Sequence, residues 1–296
     1  MVFKIINWLK RIALRVFLTR RISRRANEKE IKLIEQLRDD VKNLNFNQLS
    51  SVAWLENQKI LRNSIMNSDP RNFTNWLVIQ QTMFHYAKKI ELIELKRSPN
   101  WDMLKKGIIE DKAGNPPKYH LYFSSSGNLI HHAYSLKQLL DKEEYFDIEK
   151  VNQIFEFGGG YGSFCRMIYK IGYKKYYSIY DLPIFNHLQK YFIKSIENND
   201  MLSKINYVSD EIKIPDEIDF FISLWGISET PFKLRDKIFD KLNRTKYVLI
   251  AYQADYSGLN NVKYFSKICK NNLNFKWYDY EIPHLVGNRY LIGISK

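Results

Sequence analysis

Four glycines within five residues, Gly158, Gly159, Gly160 and Gly162, follow an apolar run that ends in an acid; Ile154 to Gly162 reads I-F-E-F-G-G-G-Y-G. Glycine is required where φ must be positive or where a ligand must touch the backbone, because a Cβ obstructs both. Phe164, Met167, Ile168 and Ile171 then follow at helical spacing. The pattern is a strand, a tight turn and a helix start, and such a turn cradles a nucleotide-like molecule at the helix N-terminus.

The next acid at a strand end narrows the ligand. Gly172 stops the helix, Tyr176 to Tyr180 reads as a second strand, and Asp181 stands at its end, nineteen residues beyond Gly162. A carboxylate there accepts both hydroxyls of a ribose, as in doubly wound folds. NAD and S-adenosylmethionine (SAM) both fit so far. The spacing favours SAM: the run is E-x-G-x-G-x-G with Ser163 after it, whereas a dinucleotide loop requires G-x-G-x-x-G.

The elements that must hold this turn follow from the rest of the chain. With 296 residues, 45% of them hydrophobic, the chain can bury one substantial core and a smaller accessory layer. Two cysteines, Cys165 and Cys269, are too few for a disulfide framework or a thiolate metal site, and a reducing, cytoplasmic setting is expected. Eight of the +14 excess charges fall in residues 1–25, which contain no acid. There Phe3, Ile6, Trp8, Leu9, Ile12, Val16 and Phe17 lie largely opposite Lys4, Asn7, Arg11 and Arg15 on a helical wheel. This is a basic amphipathic helix suited to the inner face of an anionic membrane. It is too often interrupted by charge to span one. Packing on the rest of the protein is the competing use.

Residues 26–150 read as a helical accessory or substrate-cap region. Ile31, Ile34, Leu37, Val41 and Leu44 keep helical spacing, Pro70 breaks the run, and Phe73, Trp76, Leu77, Met83, Phe84 and Ile90 mark further helix. Between Ser98 and Asn128 prolines, Gly114 and serines loosen the pattern into a loop or lid. A helix from about Leu129 to Leu140 precedes the sheet. Residues 151–296 then alternate strands and helices: strands at Tyr176–Tyr180, Ile205–Val208, Ile218–Leu224 and Tyr247–Tyr252, with Thr230 expected to cap a helix that has Pro231 at its first position. Phe275 to Ile282 and Arg289 to Ile294 are joined too closely for a crossover helix, so the last two strands must be antiparallel. The expected architecture is α/β, a Rossmann-like, mostly parallel seven-stranded sheet with a C-terminal antiparallel hairpin. That is the layout of class I SAM-dependent methyltransferases.

The runs E-F-G-G-G-Y-G, Y-D-L-P and S-L-W-G-I-S-E, in this order and ahead of a terminal hairpin, resemble the bacterial sugar O-methyltransferase family. The resemblance covers residues 120–296, the preceding helices loosely, and leaves out the first 25. It implies SAM as methyl donor and a hydroxyl of a sugar in a surface glycan or its precursor as acceptor. It carries no catalytic residue across.

Site residues are argued from position. Gly158, Gly160 and Gly162 are expected along the methionine part of SAM, Asp181 on the ribose and Leu182 on the adenine. Asp210 either accepts from the adenine amino group or is a solvated loop acid; Glu156 either faces the cofactor's ammonium through water or caps the loop. A sugar hydroxyl is barely acidic and needs a base within hydrogen-bond reach, or a metal. His284 in the hairpin turn and Glu229 after the fourth strand are the expected bases, with His131 and His132 behind them. As neighbours on a helix these two point about 100° apart, so no metal site is expected and a surface or interface position is the alternative. An RNA methyltransferase is disfavoured because the charge excess is terminal and no N-P-P-Y or D-P-P-Y run follows the fourth strand. A non-catalytic SAM-binding scaffold and a nicotinamide oxidoreductase are the remaining alternatives.

Overall fold

The computed structural model of the protein describes residues 22, 24–46, 52–196 and 199–296. The amphipathic helix expected over residues 1–25 therefore lies almost wholly outside the described residues.

The chain enters through α1, Glu28–Lys42, whose start is fixed reciprocally: the Asn27 side chain accepts from Glu30 N, and the Glu30 carboxylate accepts from Asn27 N. Such a box satisfies two of the N–H groups that a helix start leaves unpaired. Ile34, Leu37 and Val41 are buried, whereas Ile31 has turned off that face and is 43% exposed. Next come α2, Val52–Asn67, and a 3-10 turn over Pro70–Asn75. Two short helices follow, α3, Leu77–Thr82, and α4, Lys89–Arg97. The stretch from Ser98, expected as a loose loop, contains α5, Trp101–Gly107, and a small ribbon of Lys118–Tyr119 with Tyr122–Ser126. The buried Arg166 guanidinium explains why it is ordered: Nε donates to Asp111 Oδ2 at 2.5 Å and Nη1 to Gly107 O at 2.8 Å. Helix α6, Gly127–Leu140, begins two residues earlier than the apolar periodicity indicates, because Ser126 accepts from Leu129 N.

The sheet consists of β1, Gln153–Phe157, β2, Tyr176–Tyr180, β3, Ile205–Val208, β4, Phe220–Leu224, β5, Tyr247–Gln253, β6, Phe275–Glu281, and β7, Asn288–Ser295. Its order is β6-β7-β5-β4-β1-β2-β3. Strands β1 to β5 pair in parallel, while β7 pairs antiparallel with both β5 and β6. The crossovers carry α7, Ser163–Lys170, α8, Pro183–Ser195, α9, Phe232–Asp240, and α10, Asn261–Asn271. Two boundaries differ from expectation. Ile218 is buried but precedes the ladder, which starts at Phe220. Thr230 does not cap α9: its hydroxyl turns back to Gly226 O at 2.9 Å across a 3-10 turn over Gly226–Glu229, and Pro231 occupies the cap.

Alternation along β1 sorts the core. Phe155 and Phe157 join Val208, Phe221, Ile238, Val248 and Phe265 on one face of the sheet. Ile154, Phe220, Ile222 and Leu249 face the other, in one continuous apolar cluster with Phe164 and Phe185 of α7 and α8. Leu61, Phe73, Ile79, Leu92 and Leu95 belong to that same cluster. The N-terminal helices thus share a core with the sheet, and that packing brings α4 against α6 beside the strand ends. Among the described residues no helix is long and apolar enough to cross a membrane.

Candidate functional site

A cavity of about 600 Å³ opens where β1, β2 and β4 end. Chain reversal at carboxyl ends of parallel strands leaves backbone N–H groups unpaired, which is why ligands collect there. Glu156, Gly158, Gly160, Asp181, Leu182, Asp210 and Glu229 all line it; Gly162 and His284 do not.

One wall is made of backbone. Gly158 has φ +76°, and a Cβ there would lie 2.9 Å from Gly226 Cα, so the loops after β1 and β4 touch main chain to main chain. Only glycine permits both the left-handed φ and this approach. Gly162, also left-handed at φ +90°, is the N-cap of α7, packed toward Gln189. Asp181 braces the loop from the side: Oδ2 accepts from Gly160 N at 3.1 Å and Gln189 Nε2 at 3.0 Å, and Oδ1 from Leu182 N at 2.8 Å. Burial pushes its carboxyl up to about 7 despite these donors. Glu156 stands beneath, its Oε2 accepting from the Tyr177 hydroxyl at 2.8 Å, and burial pushes it up to about 8. Asp210 is exposed at the rim, where its side chain accepts from Ile212 N at 3.0 Å. It caps a turn and lines the cavity at once. A close backbone cradle, a neighbouring acid and the half-buried Leu182 suit an adenosyl ligand bearing a polar chain.

The other wall is made of side chains. Glu91 of α4 is fully buried; its Oε1 lies 2.8 Å from His131 Nδ1 and 2.7 Å from His284 Nε2, and its Oε2 accepts from Lys88 N. The His85 ring stacks on His131 with centroids 3.6 Å apart, and Trp225 lies against both, 5.7 Å and 5.0 Å away. The Nε2 atoms of His85 and His131 are buried without a hydrogen-bond partner. Burial pushes His85 down to about 2 and His131 to about 3, so both rings are neutral, and it raises Glu91. Trp225 holds a left-handed φ of +68°. A bulky residue in that region is a genuine outlier, of the kind that clusters at functional sites. It is pinned by Trp225 N to Ala251 O at 2.7 Å and by Nε1 to Asn288 Oδ1 at 2.7 Å.

Several expectations are corrected by this geometry. His131 is not a surface residue but the centre of a buried cluster, and His132 Nδ1 sits 3.2 Å from Ser163 Oγ. His284 does not face the cavity, because its Nε2 is directed to Glu91. Glu229 does face it, with Oε2 accepting from Trp54 Nε1 at 3.0 Å and Oε1 from Gln253 Nε2 at 2.8 Å; burial raises its carboxyl. His85, Glu91 and His131 each bring one donor atom within 4.8 Å of the others. His85 and Glu91 carried no local signal, since they lie on separate elements with ordinary neighbours in sequence; Trp225 stands within the S-L-W-G-I-S-E run, but its approach to them is not readable there.

The strand order, 3-2-1-4-5-7-6 from one edge to the other, defines the Rossmann-like fold of class I SAM-dependent methyltransferases. No protein-family model and no curated protein matches the chain. Among solved structures it is similar to magnesium protoporphyrin IX methyltransferase from Synechocystis PCC 6803, solved with bound SAM. The identity there is 11% over 72% of this chain and 100% of that one, with a TM-score of 0.44. It is similar also to the 16S rRNA methylase ArmA (20% identity, 56% and 87% covered, TM-score 0.36) and to the StiE O-methyltransferase segment (11%, 54% and 72%, 0.42). The fold assignment rests on the strand order itself.

Proposed function

We propose that the protein is a SAM-dependent O-methyltransferase acting on a sugar hydroxyl in a surface glycan or its precursor. The observation that carries the methyltransferase reading is the Gly158–Gly226 backbone contact with Asp181 beside it, at the carboxyl edge of a sheet of this order. SAM supplies an already activated methyl group, so the protein's task is to hold and prepare the acceptor. Holding oxygen and carbon in line is worth roughly 7–11 kcal/mol. In this reading Asp181 and Leu182 hold the ribose and adenine, and Glu229 and Trp225 present a carboxylate and a ring face to the acceptor. His284 acts only through Glu91.

The sugar acceptor is supported by the resemblance of the three sequence runs to those of the sugar O-methyltransferases. Residues 1–25 would hold the chain at an anionic membrane face, where lipid-linked glycans are built, and flotation with liposomes with and without that stretch tests this. Calorimetry should give heat with SAM and its demethylated product and none with NAD; the reverse pattern would overturn the reading. Mass spectrometry of surface glycan from cells lacking the protein should show one methyl group missing. An unchanged glycan would refute the acceptor class.

A further inference from the structure

Glu91 is a buried carboxylate whose only ion-pair partners among the described residues are imidazoles. An anion in the interior without a cation is expensive, and so is each ring nitrogen left without a partner. His85 Nε2 and His131 Nε2 are two such nitrogens. One occupant answers all three costs. We infer that His85, Glu91 and His131 form a binding site for a divalent transition-metal ion on the acceptor wall of the cavity.

The donor set has the right chemistry. Two imidazole nitrogens and one carboxylate oxygen suit Zn²⁺, and with them Fe²⁺ or Mn²⁺, rather than the all-oxygen shells of Ca²⁺ and Mg²⁺. Ligands about 2.1 Å from an ion stand roughly 3 Å apart at right angles and roughly 4.2 Å apart when opposed. The donor atoms of the three residues lie within 4.8 Å of one another, which needs a small contraction.

His284 has the place of a positioning residue, since its Nε2 holds Glu91 Oε1 at 2.7 Å, and partners of this kind orient metal ligands. Three protein ligands leave a coordination position free, the mark of a catalytic rather than a structural site. His85 and His131 line the same cavity as Gly158 and Asp181, so that position opens toward the acceptor. There the ion would bind a hydroxyl oxygen as a Lewis acid. The binding site stands without methyl transfer; only this use of it rests on the function proposed above.

The test uses the full chain, stripped with a chelator and titrated calorimetrically with Zn²⁺ and, separately, Mn²⁺, with Co²⁺ as a visible probe. One equivalent should bind with a Kd of about 1 µM or tighter, and Co²⁺ should give ligand-field bands. His85→Asn and Glu91→Gln should each weaken Zn²⁺ by 100-fold or more, and His284→Gln by 10-fold or more. Affinity for the demethylated cofactor should stay within two-fold in all three, which also reports that they are folded. No stoichiometric binding of either ion to the wild-type chain overturns the site, as does Zn²⁺ binding that His85→Asn leaves unchanged. Loss of cofactor binding in the wild type with metal binding intact would instead refute the methyltransferase reading.

Discussion

The two walls of the cavity are built on opposite principles. The cofactor wall is main chain: Gly158 to Gly160, with Gly226 against it and Asp181 bracing it, drawn from the ends of neighbouring parallel strands. The acceptor wall is side chain, a carboxylate, two stacked imidazoles and a strained tryptophan, drawn from α4, α6, the loop between α3 and α4 and the turn after β4. A backbone cradle recognises what every member of a fold binds. A side-chain cluster recognises what one protein binds, because it alters with single substitutions while the fold stands.

The largest effect expected from breaking this contrast is at Gly158. Gly158→Val places a branched side chain where a Cβ alone would be 2.9 Å from Gly226 Cα, at a left-handed φ. Cofactor affinity measured by calorimetry should fall by more than about 100-fold. Preserved affinity would mean that the ligand does not use this loop.

Glu91→Ala attacks the other wall and leaves two imidazole N–H groups buried without an acceptor. Urea unfolding of metal-free protein should show a loss of about 2–4 kcal/mol. A loss under about 1 kcal/mol would show that the cluster is not a structural keystone.

The walls should also answer pH in opposite directions. Asp181 and Glu156, pushed up to about 7 and about 8, keep protons when folded that the unfolded chain has already released. Stability on their account is lost as pH rises from about 4 to 8. Glu91, also raised, adds to that trend. His85 and His131, pushed down to about 2 and about 3, refuse protons that unfolded histidines take up below about 6.5, so stability is lost as pH falls below that value. Metal-free protein should therefore be most stable near pH ~6, with slopes of about 1–2 kcal/mol per pH unit on either side. Asp181→Asn should shift the maximum upward and His85→Asn downward; no movement in either would deny the two walls separate protonation behaviour.

The smallest effect separates strain from packing at Trp225. Trp225→Gly and Trp225→Ala lose the same stacking on His85 and His131, but only glycine relieves the φ of +68°. The glycine variant should be the more stable by about 1 kcal/mol in thermal unfolding. Equal values would place the cost elsewhere.

What could be foreseen follows the same division. The seven-stranded sheet, its terminal hairpin and the glycine turn were legible because they depend on local periodicity and on residues whose backbone freedom is visible at once. Tyr176–Tyr180 and Ile205–Val208 fell where their apolar runs place them. The cap of α9 was misplaced by one residue because Thr230 had a closer partner in Gly226 O. His131 was read only as a lesser candidate base, with a surface or interface position as the alternative, because its neighbours, His85, Glu91 and Trp225, lie 46, 40 and 94 positions away, and no pattern along a strand or helix reports a meeting of that kind. His284 was placed at the right edge of the sheet, yet its direction is set by Glu91, which belongs to a helix read only for its apolar face.

The bond between Glu91 and His284 spans 193 positions, which has a consequence for the order in which the protein becomes able to work. During synthesis the carboxylate of Glu91 waits for the last hairpin, and so does Trp225, whose Nε1 donates to Asn288 Oδ1. A chain clipped or stalled before residue 284 would lack both supports, together with β7, which pairs with β5 and β6 inside the sheet.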